Sequence, residues 1–407
     1  MKRIIVCMDG TWQSLNQPKL TNIGILARSI AHRQTRPDGS QVHQIVIYTH
    51  GVGSSMGALS RRSLLEVASE SFARLTGGAL GAGLEDGILD TYLRLAFNYE
   101  DGDEIYIFGF SRGAFAARRL AGMINTAGIV SRRHVDRARE GFRLYYSKPH
   151  HDAPEQERLE HAAKAAEFRR EYGKGRRNAD GTRLKTDDVQ RITYLGVFDT
   201  VAQRGASDVV ASFMPWNDPQ RFKFRSYRVC DNVLFARHAV AIDESRLGFP
   251  VMLWDNLEEA NARRGQRAYL QRWFVGTHGD VGGGEGSPLA AAALKWIAEG
   301  ASEAGLRFYA TYGADTSPLD DALAEAGLVF DRAITRPTLV KALQPINYPL
   351  RARKIWSSKA RPSLADAEAI LDASVMRRMT AKLKPRYRPS ALRPFQKALK
   401  DWRPPAE

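Results

Sequence analysis

The chain has 407 residues, 43% of them hydrophobic, so it is long enough to bury a large core in one domain with additions or in two domains. No stretch approaches the roughly eighteen apolar residues of a membrane-spanning helix, which argues against an integral membrane protein. The formal net charge of +15 predicts attraction to an anionic partner. Two cysteines, Cys7 and Cys230, give neither a disulfide framework nor a metal-binding spacing.

The amino-terminal residues combine two basic side chains with the short apolar run Ile4–Met8. This run is too short for the apolar core of a signal peptide and lacks a small-residue cleavage site, so we interpret it as the first strand. The sequence therefore predicts a cytoplasmic protein, with export by a signal-independent secretion system as the alternative.

Further apolar runs along the chain have the length and composition of buried strands. Between the second and third of them, Gly87–Tyr99 carries apolar residues at helical spacing. Strands alternating with helices predict an α/β fold with a doubly wound, mostly parallel sheet, in which functional groups collect at the carboxyl ends of the strands. The predicted strands are Ile4–Met8, Gln44–Thr49, Ile105–Phe110, Ile192–Phe198 and Trp273–Gly276.

The stretch 109–113, GFSRG, is the strongest chemical signal in the sequence. It follows a predicted core strand and precedes a segment that is first small and helix-forming and then apolar. Strand, G-x-S-x-G and helix form the context of a nucleophile elbow, in which small residues allow a tight turn and the first helical N–H groups face a developing oxyanion. The sequence therefore predicts that Ser111 is a nucleophile.

Two later strand ends supply the base and the carboxylate that a nucleophilic serine needs. Asp199 follows one predicted strand, and His278 follows another within a glycine-rich loop. The order Ser111, Asp199, His278 is the one that α/β-hydrolases use, and all three residues fall where a catalytic triad would converge.

Alternatives stay open around these residues. Asp199 could cap the turn that follows it, and His278 could be a packed histidine. Asp280, two residues after His278, could orient the base or brace the loop, and we favour bracing. We interpret His238 as a satisfied core histidine on an amphipathic helix.

The predicted oxyanion hole uses the backbone N–H of Arg112, which follows the nucleophile, and a second N–H from Gly10 or Thr11 after the first strand. Asp9 is expected to hydrogen-bond that turn or its neighbour, and so to support the site without taking part in the chemistry. A haloacid-dehalogenase-type reading of Asp9–Thr11 fails, because the required nucleophilic aspartate two residues earlier is Cys7.

The other glycine-rich loops, at 51–53 and 77–83, do not match a dinucleotide site or a P-loop, so no nucleotide cofactor is predicted. Attack of serine on a neutral ester also requires no metal ion.

Two segments are predicted to be additions to a catalytic domain that spans residues 1–345. Residues 131–190 are rich in charge and form a helical insertion or lid, with a helix over Glu155–Tyr172. Residues 346–407 form a basic extension with fifteen Lys and Arg against five Asp and Glu, interleaved with aromatic residues. This composition suits an anionic membrane surface or a nucleic-acid backbone, and a solvated basic tail is the alternative.

A series of six motifs resembles a bacterial α/β-hydrolase domain family of formerly unknown function that includes the type VI secretion phospholipase effectors. The resemblance covers roughly residues 3–300 and, more faintly, Ser374–Leu392. It implies a Ser-Asp-His triad, carried here by Ser111, Asp199 and His278, and esterase or phospholipase A activity for the effector members. The motifs are residues 8–12, 51–53, 109–114, 196–201, 241–244 and 278–284.

We expect from the sequence a serine hydrolase of acyl esters, a lipase or phospholipase A without a cofactor or metal. Its partners would be an acyl ester or phospholipid and an anionic membrane surface contacted by the basic extension, with nucleic acid disfavoured. The alternative is a catalytically silent hydrolase-fold scaffold that binds membrane or nucleic acid through that extension.

Overall fold

The fold was analysed in a computed structural model of the chain. The residues that it describes are 1–10, 13–51, 79–176, 178, 180, 182, 184–201, 227–246, 249–309, 311–312, 315–316, 318–326, 353–358, 360–381, 387–400 and 402–403. Of the glycine-rich stretch 77–83, which was predicted to be a loop, residues 79–83 instead begin a helix, Ala79–Asn98, and residues 77–78 lie outside the described residues. Thr11 also lies outside them.

A seven-stranded sheet forms the centre of the molecule, in the order β2-β3-β1-β4-β5-β6-β7. All neighbouring strands are parallel except β2, which runs antiparallel to β3 at one edge. The predicted α/β fold with a mostly parallel sheet is therefore confirmed. The strands are β1 Arg3–Met8, β2 Arg33–Thr35, β3 Gln41–Thr49, β4 Glu104–Phe110, β5 Ile192–Phe198, β6 Val233–Ala241 and β7 Tyr269–Phe274, and a separate hairpin joins β8 Thr311–Tyr312 to β9 Asp315–Thr316.

Helices cover both faces of the sheet, and the alternation along β1 shows why. Ile4 and Val6 lie in a core cluster with the helices Ala79–Asn98 and Arg112–Ala127, whereas Ile5 and Cys7 lie in a second cluster with the helices Asn22–Ser29 and Ala290–Glu303. The helices are α1 Asn22–Ser29, α2 Ala79–Asn98, α3 Arg112–Ala127, α4 Ala138–Tyr146, α5 Glu155–Tyr172, α6 Leu257–Arg264, α7 His278–Gly282, α8 Ala290–Glu303, α9 Pro318–Ala326, α10 Leu364–Ile370 and α11 Ala373–Thr380. Among the described residues, no helix is both long and apolar enough to span a membrane.

Strand β6 corrects the sequence prediction, because the segment around His238 was expected to form an amphipathic helix. It pairs with β5 on one side and β7 on the other, so it is an interior strand of the sheet. The edge strand β2 was not predicted either. The helix predicted over Glu155–Tyr172 is present with the predicted bounds.

The segment 131–190 packs against the helix that follows Ser111. Phe142 of α4 and Phe168 of α5 are buried in the core cluster of that face, and Arg169 donates to the carbonyl of Thr126 at 2.6 Å. Its helices therefore have an apolar side that is part of the core. Its role as a lid stays a prediction.

The described residues of the C-terminal extension, 353–358, 360–381, 387–400 and 402–403, pack on the β7 edge of the sheet. Leu371 forms a parallel bridge with Trp273, and the Asp372 N–H donates to the Trp273 carbonyl at 2.9 Å. Three of its aromatic residues, Tyr387, Phe395 and Trp402, are buried there with residues of β6 and β7. The aromatic residues that the sequence placed among basic ones at an anionic surface thus form part of the core.

Candidate active site

The three residues predicted to form a triad lie at one edge of the sheet. Ser111 follows β4, Asp199 follows β5, and His278 opens α7 after β7. The strands β4 to β7 are neighbours and parallel, so their carboxyl ends meet at this edge.

The turn that carries Ser111 is tight and strained. The residue has a φ of 58°, in the left-handed region, and its N–H donates to the carbonyl of Phe198 at 3.1 Å. A Cβ at Gly113 would lie 2.2 Å from the carbonyl oxygen of Met8, and one at Gly109 would lie 2.6 Å from the backbone of Ala114. The two glycines therefore allow the start of α3 to approach β1 and β4 closely.

The side chains of Ser111, His278 and Asp199 form a chain of hydrogen bonds. His278 Nε2 is 2.7 Å from Ser111 Oγ, and His278 Nδ1 is 2.6 Å from Asp199 Oδ2. All three side chains are buried, and the imidazole contacts the rings of Phe110 and Phe249 at centroid distances of 4.7 and 5.0 Å. The arrangement can pass a proton between serine and imidazole while a carboxylate fixes the ring.

Asp199 has further partners that hold its carboxylate. The N–H of Ala241 donates to Oδ1 at 2.9 Å, and Arg353 donates to Oδ1 at 2.5 Å and to Oδ2 at 3.0 Å. Burial opposes ionisation, but the guanidinium of Arg353 and the hydrogen bond with His278 outweigh it and hold the pKa of Asp199 well below its usual range. Sequence analysis missed this role of Arg353, which it counted only among the basic residues of the extension.

Asp280 lies beside the site but does not contact the imidazole. Its Oδ2 accepts the N–H and the hydroxyl of Thr277 at 2.8 and 2.9 Å, which closes a capping box at the start of α7. These contacts hold the first turn of α7, and the role of Asp280 in bracing the loop stays a prediction.

Asp9 binds the turn after β1, where it accepts hydrogen bonds from the Gly10 N–H at 2.7 Å, the Thr21 hydroxyl at 2.8 Å and the Tyr48 hydroxyl at 2.5 Å. Burial raises the pKa of Asp9, although these hydrogen bonds oppose that effect. Asp9 thus connects β1 to α1 and β3. It also binds its own turn, which is the contact that the sequence predicted.

The predicted oxyanion donors have different surroundings. Arg112 is the first residue of α3, and first-turn N–H groups have no acceptor within their own helix. The Gly10 N–H, in contrast, is already bound to Asp9. Thr11, the other alternative for the second donor, lies outside the described residues.

The motif at 241–244 positions the loop of His278, a function that sequence analysis did not assign. Glu244 Oε2 accepts the His278 N–H at 3.2 Å, and Asp243 Oδ2 accepts the Gly276 N–H at 2.7 Å. Burial opposes charge on Glu244, but hydrogen bonds from Arg246 outweigh it and lower the pKa of Glu244. Two adjacent carboxylates, Asp243 and Glu244, directly follow an apolar run, and this pattern is the signal that could have identified them.

His238 lies apart from the triad as a packed histidine. Its Nε2 accepts the Thr200 N–H at 3.2 Å, and its Nδ1 is 3.0 Å from Gln271 Oε1. Among the described residues, one group could share a metal ion: His150, His151 and Asp152, which are exposed in the 131–190 segment.

A mostly parallel sheet with Ser, Asp and His at its carboxyl edge defines an α/β architecture of the hydrolase type. Residues 2–300 match the family described as the type VI secretion phospholipase effector Tle1-like catalytic domain, and the chain belongs to that family. The predicted family is thus confirmed.

Individual relatives are similar over part of their length. An uncharacterized protein of Saccharomyces cerevisiae is 30% identical over 208 residues, which are 50% of this chain and 27% of the relative. An uncharacterized protein structure from Pseudomonas aeruginosa shares 19% identity at a TM-score of 0.37, over 82% of this chain and 51% of that one. A Tle1 effector structure, bound to the VgrG spike of the type 6 secretion system, shares 17% identity at a TM-score of 0.35. The match covers 71% of this chain and 52% of that one. The chain spans about a quarter of the yeast relative and about half of each structure.

Proposed function

We propose that the protein is a serine hydrolase of carboxylic esters that acts on phospholipids as a phospholipase A. The observation that carries the proposal is the buried hydrogen-bond chain from Ser111 through His278 to Asp199, with distances of 2.7 and 2.6 Å. Its three members come from three strand ends, and their convergence on one proton path is what nucleophilic catalysis requires.

In the proposed reaction, Ser111 Oγ attacks the ester carbonyl while His278 Nε2 takes its proton. The N–H groups of Arg112 and of Thr11 or Gly10 stabilise the resulting oxyanion. The carbon–oxygen bond to the leaving alcohol then breaks, and His278 gives the proton to that alcohol, which leaves an acyl-Ser111 ester. Water, activated by His278, hydrolyses this ester to a free acid and restores the serine.

The phospholipid substrate is supported by family membership and by the basic residue that follows the nucleophile in the chain. Burial lowers the pKa of Arg112 to about 10, so the residue that follows Ser111 is still a cation at neutral pH. A lipid phosphate close to the scissile ester would be attracted to that charge. The rings of Phe110 and Phe249 contact the imidazole and offer an apolar wall beside an acyl chain.

Two further parts of the proposal concern where the enzyme acts. Family membership supports export by type VI secretion, a system that does not require a signal peptide. The exposed basic residues of the C-terminal extension would contact anionic lipid, while its apolar residues pack on the sheet.

The test is hydrolysis of a substrate panel that runs from short nitrophenyl esters to phospholipid vesicles, with Ser111→Ala as the matched control. We expect free fatty acid and lysophospholipid from the vesicles, and loss of both products in the variant. Cleavage of the short esters alone would remove the phospholipase assignment. A folded wild-type protein that cleaves no ester would favour the silent scaffold.

A further inference from the structure

Arg353 lies beneath the proposed triad and is held on several sides. Its guanidinium donates to both carboxylate oxygens of Asp199, at 2.5 and 3.0 Å, and to the carbonyls of Ala241 at 2.8 Å and Phe249 at 3.0 Å. Its side chain is 7% exposed and that of Asp199 is 0% exposed. A fork-shaped contact of this kind fixes the plane of a carboxylate as well as its charge.

This arginine comes from outside the part of the chain that matches the family. The match ends at residue 300, whereas Arg353 begins the described part of the C-terminal extension. That extension is anchored on the same edge of the sheet by the Trp273–Leu371 bridge and by the Tyr387 hydroxyl, which donates to Asp243 at 2.8 Å. The guanidinium therefore reaches Asp199 from a segment that is fixed to the fold at other points.

We propose that Arg353 is a positioning residue of the hydrolase, which holds the Asp199 carboxylate ionised and oriented so that Oδ2 accepts the Nδ1–H of His278. The inference rests on the proposed function of the triad. The C-terminal extension is then a functional part of the active site and not only a basic appendage.

The physical reason is the balance of charge at a fully buried carboxylate. Asp199 has no water to solvate it, so a carboxylate without a counter-charge would favour the protonated form. Oδ2 faces His278 and Arg353, while Oδ1 faces Arg353 and the Ala241 N–H. With both oxygens occupied, the carboxylate cannot rotate away from the imidazole without breaking these contacts.

The other charged groups around the pair have their own partners. Arg246 is bound to Glu244, whose Oε2 also accepts the backbone N–H of His278. Burial lowers the pKa of His238 to about 3, so it is neutral near pH 7. Within the described part of the chain, Arg353 is therefore the cation that hydrogen-bonds to Asp199.

The sign of the pH effect follows from removing that cation. Without it, the hydrogen-bonded Asp199–His278 pair holds a proton more tightly, because a nearby positive charge no longer opposes protonation. The reaction starts from an unprotonated imidazole, so the acid limb of kcat/KM should move to higher pH.

The experiment measures kcat/KM against pH on a short soluble ester for wild type, Arg353→Met, Arg353→Lys and the matched control Arg361→Met. In Arg353→Met we expect a loss of about 10²-fold at neutral pH. We also expect the midpoint of the acid limb of kcat/KM to move to higher pH by roughly one unit or more. Arg353→Lys keeps the charge but loses the bidentate contact with the carboxylate. For this variant kcat should therefore fall, while the acid limb of kcat/KM stays at the pH of wild type. Arg361 is an exposed arginine of the same segment, and its variant should match wild type.

Several results would overturn the inference. One is a pH profile of kcat/KM in Arg353→Met that equals that of wild type. Another is an equal loss of kcat/KM at every pH together with a lower Tm, which would indicate that Arg353 has only a packing role. A shift of the limb in Arg361→Met would show a general charge effect. Failure of the proposed function is a separate result, since it would appear as an inactive wild type or a fully active Ser111→Ala.

Discussion

At the scale of residues, two side chains of the site sit on strained backbone. Among the described residues, Ser111 and Asp199 are the non-glycine positions with positive φ, at 58° and 36°. Such conformations cost about 1–3 kcal/mol each and persist where the surrounding structure enforces them. Each of the two directly follows a strand, and each turns its side chain toward His278. The strain is thus concentrated where the proposed chemistry requires an unusual direction.

The first prediction concerns these three residues as a unit. Asp199→Asn should lower kcat by roughly 10⁴-fold, and Ser111→Ala and His278→Ala by up to about 10⁶-fold, as in other serine hydrolases. Double variants should lose little more, because each single change already breaks the proton path. The measurement is kcat on a soluble nitrophenyl ester.

Asp280→Asn is the matched control for the acid, since this neighbouring carboxylate binds Thr277 and not the imidazole. It should affect stability more than kcat. A nearly silent Asp199→Asn beside an inactive Asp280→Asn would show that the orienting acid has been assigned wrongly.

At the scale of elements, the contact between β1 and the start of α3 shapes the site. A Cβ at Gly113 would lie 2.2 Å from the Met8 carbonyl oxygen and 2.4 Å from that of Asp9. This approach places the first turn of α3, with the N–H of Arg112, beside the turn after β1. The second oxyanion donor is proposed from that same turn.

The second prediction tests this close approach. Gly113→Ala should destabilise the protein by about 1–3 kcal/mol or more, because the new methyl group meets fixed backbone atoms. Gly87→Ala in α2, where a Cβ meets nothing within 4 Å, should instead stabilise it by about 0.5–1 kcal/mol. Urea denaturation gives both values. A Gly113→Ala protein as stable as wild type would contradict the packing of α3 on β1.

Strand β6 shows where local sequence patterns mislead. Arg237 and His238 interrupt its apolar residues and suggested the polar side of a helix. In the fold, Arg237 reaches Glu303 on α8, and His238 is satisfied by Gln271 and the Thr200 N–H. These partners come from distant parts of the chain, so the sequence of β6 alone could not reveal that an interior strand accommodates two polar residues.

The third prediction concerns the packing of the C-terminal extension. Phe395 is fully buried against residues of β6 and β7, so Phe395→Ala should lower the free energy of unfolding by about 3–5 kcal/mol. Phe97 is 48% exposed, and Phe97→Ala should stay within about 0.5 kcal/mol of wild type. Equal stability of the two variants would show that the extension does not belong to the core.

At the scale of the whole molecule, charge and burial divide the extension into two sides. Residues 351–407 contribute two thirds of the net charge of +15, yet their aromatic residues Tyr387, Phe395 and Trp402 are buried. The sequence indicated the charge correctly. It could not show the packing, because that depends on the exposed edge of β7.

The fourth prediction tests the anionic surface with exposed charges only. Replacing the exposed residues Arg388, Arg393 and Lys397 by Gln should weaken binding to phosphatidylglycerol vesicles by roughly 1 kcal/mol per charge. Co-sedimentation with the vesicles measures this binding. Hydrolysis of a soluble ester should not change. Added salt should weaken wild-type binding, because it screens charges within about 8–10 Å.

The matched control removes three exposed basic residues from the 131–190 segment, Arg133, Arg158 and Lys164. An equal loss in both triple variants would attribute binding to net charge and defeat docking through the extension. Binding that ignores salt would defeat an electrostatic surface altogether.

The sequence predicted those residues of the site that a local sequence pattern marks. Ser111, Asp199 and His278 each follow an apolar strand, and a doubly wound sheet brings such strand ends together. Arg353 is 154 positions from Asp199 and is one of fifteen basic residues in its segment, so nothing near it in the sequence marks it. Its pairing is a consequence of how the extension folds back on the sheet.

The central claim is that Ser111 is an activated nucleophile, and covalent labelling tests it most directly. After treatment with a fluorophosphonate, peptide mass spectrometry should find the adduct on Ser111 in wild type, much slower labelling in His278→Ala and none at this position in Ser111→Ala. A folded wild-type protein that stays unlabelled, or one labelled equally fast without His278, would contradict the account.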